Sequence, residues 1–249
     1  MSGRRILLGL LGLSVLLGNA GPAQAQRSPY GVEEYNAYVD TTRAQNPSEQ
    51  LQTIEAFLKK YPQSVLRAFV YPSQAQAAFR LQQHAKVIEA VDGFLAMDRA
   101  QVTSLYKQSQ YNDTQIDGSY YQMLVLYTFS FLQSFRNGTP EADVLAARAA
   151  ERAQQALELH QQLYSQVPPP ADPAQRKQFE EQKAQQEASF HKVLAFGAWR
   201  KKDYDTAARE YAILLGHTPD DAWINYQLGL ASLQKSSPEY RPGFWHVAR

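Results

Sequence analysis

The chain has no cysteine among its 249 residues. That removes disulfides, thiolate metal ligands, cysteine nucleophiles and lipid attachment to cysteine. It also lacks a surplus of either charge: 25 Lys and Arg face 24 Asp and Glu, a net of +1, whereas a dedicated nucleic-acid binder carries a basic excess. Long apolar runs are scarce. Ser119 to Phe135 is uncharged but is broken by Gln122, Thr128, Ser130, Gln133 and Ser134. Tyr120, Leu124, Tyr127 and Phe131 fall on one helical face there, so the segment reads as a buried central helix and no integral membrane span is expected. With 44% hydrophobic and 20% charged residues, the chain is neither disordered nor a multi-span membrane protein.

Chemistry-bearing motifs are missing as well. His84, His160, His191, His217 and His246 include no i, i+4 pair and no HExxH, so no zinc site is expected. There is no phosphate-binding glycine loop and no GxGxxG after a strand. Glu33-Glu34, Glu180-Glu181 and Asp220-Asp221 are adjacent acids that cannot face one another on a helix, and solvation or dipole pairing accounts for them. Asn112-Asp113-Thr114 and Asn137-Gly138-Thr139 match the glycosylation sequon, which matters only in a eukaryotic secretory host. No catalytic residue, metal or cofactor is therefore expected. The rival expectation is a helical enzyme or ligand carrier with a closed polar pocket around Asp117, Tyr120, Tyr121 and Tyr127, in the region of the aromatic helix 119–136.

What the sequence does contain begins with an export signal. Arg4 and Arg5 precede the apolar run Ile6 to Leu17, and Ala23-Gln24-Ala25 is an A-x-A cleavage pattern. Residues 1–25 thus read as a signal peptide cut after Ala25, and the protein is expected to be periplasmic or secreted. Prolines supply the next signal. Asn46-Pro47, Thr139-Pro140, Asp172-Pro173, Thr218-Pro219 and Ser237-Pro238 each pair a short polar N-cap with proline at N1, followed by an acid or Gln in the first turn. No strand-like alternation occurs. The expected class is all-α, with helices near 31–45, 47–60, 65–83, 85–98, 119–136, 140–165, 173–202, 204–216, 220–235 and 242–249. Pro72 should kink the third or delay its start, and 99–118 is the least defined connection. Val167-Pro168-Pro169-Pro170-Ala171 is a stiff break. The expected domains are 26–166, a Pro-rich break at 167–172, and 173–249. Gln175 to Gln186 is expected to overhang into solvent.

A repeat emerges in the second half. Leu194-Ala195, Tyr204, Ala207, Tyr211 and Pro219 are followed by Leu228-Gly229, and Ala188 and Ala222 stand one 34-residue period apart. This resembles the tetratricopeptide repeat (TPR), a helix–turn–helix unit, in its exported bacterial envelope form. Residues 188–235 carry the resemblance best. Leu51, Ile54, Phe57, Leu58 and Tyr61-Pro62-Gln63-Ser64, and then Val87, Ile88, Val91, Phe94 and Leu95, look like more degenerate repeats. The resemblance implies a TPR-like helical-hairpin solenoid and a non-catalytic scaffold for a protein or peptide partner. Its groove would be lined by the first helix of each hairpin: Ser189, Lys192, Phe196, Trp199 and Arg200, then Trp223, Tyr226, Leu230, Leu233 and Gln234. Trp, Tyr and Arg are the residues enriched at binding hot spots. Phe196 stands where a carboxylate clamp wants Asn, so a chaperone-type clamp is not expected. The sequence stops inside the second helix of its last repeat, with Trp245 and Ala248 expected to face inward. It therefore reads as the front of a longer array with an apolar edge, able to self-associate there.

Overall fold

The computed structural model of the protein describes residues 29–248. The segment 1–25, expected to be an export signal, lies outside the described residues. Eleven α-helices and no strand are found among those described: α1 (Val32–Arg43), α2 (Pro47–Lys60), α3 (Arg67–Arg80), α4 (His84–Leu95), α5 (Arg99–Gln108), α6 (Asp113–Ser134), α7 (Ala142–Gln166), α8 (Pro173–Arg200), α9 (Tyr204–His217), α10 (Ala222–Gln234) and α11 (Tyr240–Ala248). Successive helices pack on one another except at α5, which α4 passes to pack on α6. The protein is an all-α helical-hairpin solenoid.

The helix starts show which proline signals act as caps. Asn46 Oδ1 accepts from Glu49 N at 3.0 Å and Asp172 Oδ1 from Gln175 N at 2.9 Å, each with proline at the first helical position. At the other three sites the helix begins later. Thr139 O accepts from Ala142 N and Thr218 O from Asp221 N, both at 3.1 Å. Pro140 and Pro219 thus occupy the second position of a tight turn, which their fixed φ suits. Asp221 takes over as the cap of α10, accepting from Ile224 N at 3.0 Å. Ser237-Pro238 likewise precedes α11, which starts at Tyr240. The least defined connection, 99–118, holds a helix of its own. Asp98 caps α5 through Gln101 N, and Asn112 with Gln115 forms a reciprocal capping box that starts α6 at Asp113, ahead of the expected Ser119. Such caps contribute about 1 kcal/mol each. Pro72 lies within α3, which runs on to Arg80.

The principal core is built from α3, α4, α5, α6, α7 and the middle of α8. Val87, Val91, Phe94, Met123, Leu124, Tyr127 and Phe131 fill it. One stripe of α7 is nearly side-chain-free: Ala146, Ala149, Ala153 and Ala156 are fully buried, at helical spacing. Small residues there let α8 approach closely. At Gly197 of α8, a Cβ would lie 2.6 Å from Ala150 Cβ. The triproline segment is the turn between α7 and α8, which lie against each other. A second cluster, Ala195, Ala207, Ala208, Tyr211, Leu214, Ile224, Leu228 and Ala231, joins α8, α9 and α10. Burial pushes the Tyr211 hydroxyl up to about 12.

The last helix differs from expectation. Trp245 and Ala248 of α11 are exposed, and the inward face is Gly243 and Val247, set against Gly229 of α10. Asn225 Nδ2 donates to Pro219 O (3.3 Å) and Asp221 O (3.2 Å), which leaves its Oδ1 as acceptor for His246 Nδ1–H at 2.9 Å. α11 is held against α10 by that bond and by the close approach of Gly243 and Val247 to Gly229.

Candidate partner-binding face

The expected groove residues separate into two groups. On one side, α8 and α10 present Lys192, Trp223 and Tyr226. Lys192 is exposed, and its Nζ sits 5.1 Å from the Trp223 ring centroid, within cation–π range. Trp223 meets Tyr211 edge to face at 6.0 Å, yet Trp223 and Tyr226 each keep 45% of their surface exposed. That exposure is high for aromatic side chains of their size. Leu230 is half-buried one turn along. α10 carries no charged side chain from Ala222 to Gln234. Trp199 is half-buried, edge to face with Tyr204 at 5.3 Å.

Phe196 and Arg200 are used differently. Phe196 packs edge to face with Phe131 at 5.8 Å and Phe135 at 4.8 Å. Arg200 reaches across the same seam: its Nε donates to Asp143 Oδ1 at 2.7 Å and its Nη1 to Asn137 Oδ1 at 3.1 Å, with its guanidinium near the Phe135 ring. These two side chains fasten α8 to α6 and α7. Phe196→Ala should therefore cost about 2 kcal/mol in urea melts through the cavity it leaves. Trp223→Ala, half in solvent already, should cost under about 1 kcal/mol. Equal costs would mean that both rings are core.

The residues of the rival pocket are packed, not arranged around a void. Tyr127 is fully buried and Tyr120 nearly so, with Phe94 at 4.8 Å from the Tyr120 ring. Asp117 accepts from Arg99 Nη2 (2.9 Å) and Gln162 Nε2 (3.0 Å). Among the described residues no His, Asp and Glu side chains converge as a metal-holding group.

One polar cluster was not anticipated. His160 continues the alanine stripe of α7 and is fully buried, with its ring 4.4 Å from that of Tyr164 and 5.8 Å from those of Tyr121 and Phe190. Tyr121 Oη donates to Gln186 Oε1 at 2.8 Å, and Tyr164 Oη donates to the same oxygen at 3.0 Å. With the Tyr121 proton committed to Gln186, the 2.7 Å contact between His160 Nδ1 and Tyr121 Oη requires Nδ1 to carry the hydrogen. His160 Nε2 is then a buried acceptor without a partner. Burial lowers the His160 pKa to about 4, with Glu187 raising it and Lys183 lowering it further. Burial likewise raises the Tyr121 and Tyr164 hydroxyls. Gln186 is thus an anchor within the polar overhang, and Phe179 is a second one through its ring contact with Tyr164 at 5.2 Å. The stripe Ala146, Ala149, Ala153, Ala156 pointed to His160 by spacing alone.

No protein-family model matches the chain, and no curated protein matches it. Among the described residues no helix is long and apolar enough to cross a membrane.

Proposed function

We propose that the protein is an exported TPR-like scaffold that binds a protein or peptide through the exposed face shared by α8 and α10. The observation that carries this reading is the cation–π contact of Lys192 with half-exposed Trp223, beside half-exposed Tyr226, which stands 34 residues after Lys192. A cation and two aromatics make large contact area at low side-chain entropy cost, which suits a binding hot spot. The close α7–α8 and α10–α11 crossings support the hairpin logic of the repeat. The TPR-like pattern of residues 188–235 also motivates the scaffold part of the reading, and the signal-like segment 1–25 the export part.

The test is affinity capture with the chain beginning at Gln26, from an extract of the cells that make it. A Lys192→Glu/Trp223→Ala/Tyr226→Ala variant should keep its helical circular dichroism and lose the captured partner. A variant that captures as well as the parent would place binding elsewhere. Export has its own check: N-terminal sequencing of the product should begin at Gln26, and a membrane-pelleting product beginning at Met1 would contradict it.

The same reading extends to self-association. Tyr240, Phe244 and Trp245 of α11 are all more than half exposed, a concentration of aromatic surface in one short helix. Light scattering should detect association that Phe244→Ser with Trp245→Ser reduces. A monomer unaffected by both substitutions would remove α11 from the interface.

A further inference from the structure

We propose that Asn137-Gly138 is a self-modifying site, at which Asn137 converts to aspartate and isoaspartate through a cyclic imide. The dipeptide lies in the connection between Ser134 of α6 and Ala142 of α7, where residues 136–140 are all exposed. Gly138 has φ +86°, and nothing lies within 4 Å of where its Cβ would be. With no side chain on Gly138 and no neighbour against it, its backbone nitrogen can swing onto the Asn137 side chain at little steric cost.

The chemistry balances with water as the only co-reactant. The Gly138 nitrogen attacks Asn137 Cγ and forms a new C–N bond. The Cγ–Nδ2 bond breaks, and the former backbone amide proton leaves with the nitrogen as ammonia. Water then adds to one of the two imide carbonyls. Opening at Cγ regenerates the normal backbone with an aspartate side chain. Opening at the main-chain carbonyl gives isoaspartate, with one extra methylene in the backbone. Arg200 Nη1, 3.1 Å from Asn137 Oδ1, donates to the oxygen on which negative charge develops as Cγ is attacked, the placement that stabilises an oxyanion.

The other described asparagines each lack a requirement. Asn46 precedes Pro47, which has no N–H, and Asn112 is held by its capping box. Asn225 is buried with Nδ2 donating to two carbonyls. Asn36 lies inside α1, where the following nitrogen belongs to the helical ladder. The product matters at the seam. Arg200 already engages Asp143, so conversion places a second carboxylate on the residue that ties α8 to the α6–α7 connection, and isoaspartate lengthens that connection.

The test is peptide mass mapping of the full chain after incubation at physiological temperature and neutral to mildly basic pH, against a zero-time digest, with fragmentation that separates aspartate from isoaspartate. The Asn137 peptide should gain the amide-to-carboxyl mass several-fold faster than any other asparagine-containing peptide. The rate should rise with pH and the product should be a mixture of both isomers. Asn137→Gln keeps an amide beside Arg200 but needs a larger, slower imide ring, and should not convert on that timescale. An Asn137 that stays intact would overturn the proposal. So would equal conversion at Asn36 and Asn112, or a product that is aspartate alone, which indicates direct hydrolysis.

Discussion

Acidification from pH 7 to about pH 4 should cost the protein about 2 kcal/mol of stability through one side chain, His160. The unfolded chain offers this imidazole an ordinary pKa near 6.5, and burial holds the folded one at about 4. Because the folded value is depressed, the unfolded state takes up the proton first. The stabilising difference is therefore full above about pH 6.5 and drains away as pH falls toward 4. The bare shift corresponds to about 3 kcal/mol, reduced to about 2 for solvent screening of the charged form. Protonation would also put a hydrogen on Nε2, which has no partner, inside a box of Tyr121, Tyr164 and Phe190 rings. Urea melts at several pH values measure the slope. His160→Leu should flatten it relative to the parent, because the other titrating groups are common to both. Parallel stability-versus-pH curves would show that His160 charges as easily folded as unfolded.

Gly229→Leu should be at least as damaging, at about 3 kcal/mol. A Cβ at position 229 would stand 2.6 Å from Val247 Cγ2, 2.7 Å from Gly243 O and 2.7 Å from Val247 N. Two of those three neighbours are backbone, so no rotamer change relieves the contact, and overpacking of this kind costs about 1–3 kcal/mol or more. Helix α11 has nine residues. Released from α10 it falls below the length at which isolated helices persist in water. Hydrogen exchange should therefore accelerate across 240–248 while α6 and α7 keep their protection. Ala207→Leu, at a fully buried position of α9, should destabilise the α8–α9 contact by about 1–3 kcal/mol. A neutral Gly229→Leu would mean that α11 does not lie where Gly229 and Gly243 put it.

The helical class and most helix positions were legible because they depend on local chemistry. Asn46 and Asp172 cap the helices they were expected to cap, and the small residues Ala195, Ala207 and Gly229 are all buried. Local signals also misled. Thr139-Pro140 and Thr218-Pro219 satisfy the same dipeptide pattern but close a tight turn first, because the same proline φ fits both roles. Residues 99–118 resisted reading since α5 buries little beyond Val102, Leu105 and Tyr106, although Asn112 and Gln115 already spelled a capping box. The groove was legible only in part. Repeat spacing assigns Lys192, Phe196 and Arg200 to one helix face, but it does not say that Phe131, Phe135 and Asp143 arrive from α6 and α7 to occupy the last two. That choice belongs to tertiary packing, which a 34-residue period does not encode.

The central claim is that the α8–α10 face is where a partner docks. Photo-crosslinking tests it most directly, with a photoreactive residue at position 226 and, as control, at position 213. Tyr226 lies on that face, and Ile213 is a similarly exposed apolar residue on α9. Irradiation in an extract of the producing cells should give a discrete adduct from position 226, competed away by unlabelled parent chain and not by the Lys192→Glu/Trp223→Ala/Tyr226→Ala variant. Position 213 should give none. No adduct from 226, or the same adduct from both positions, would contradict the account.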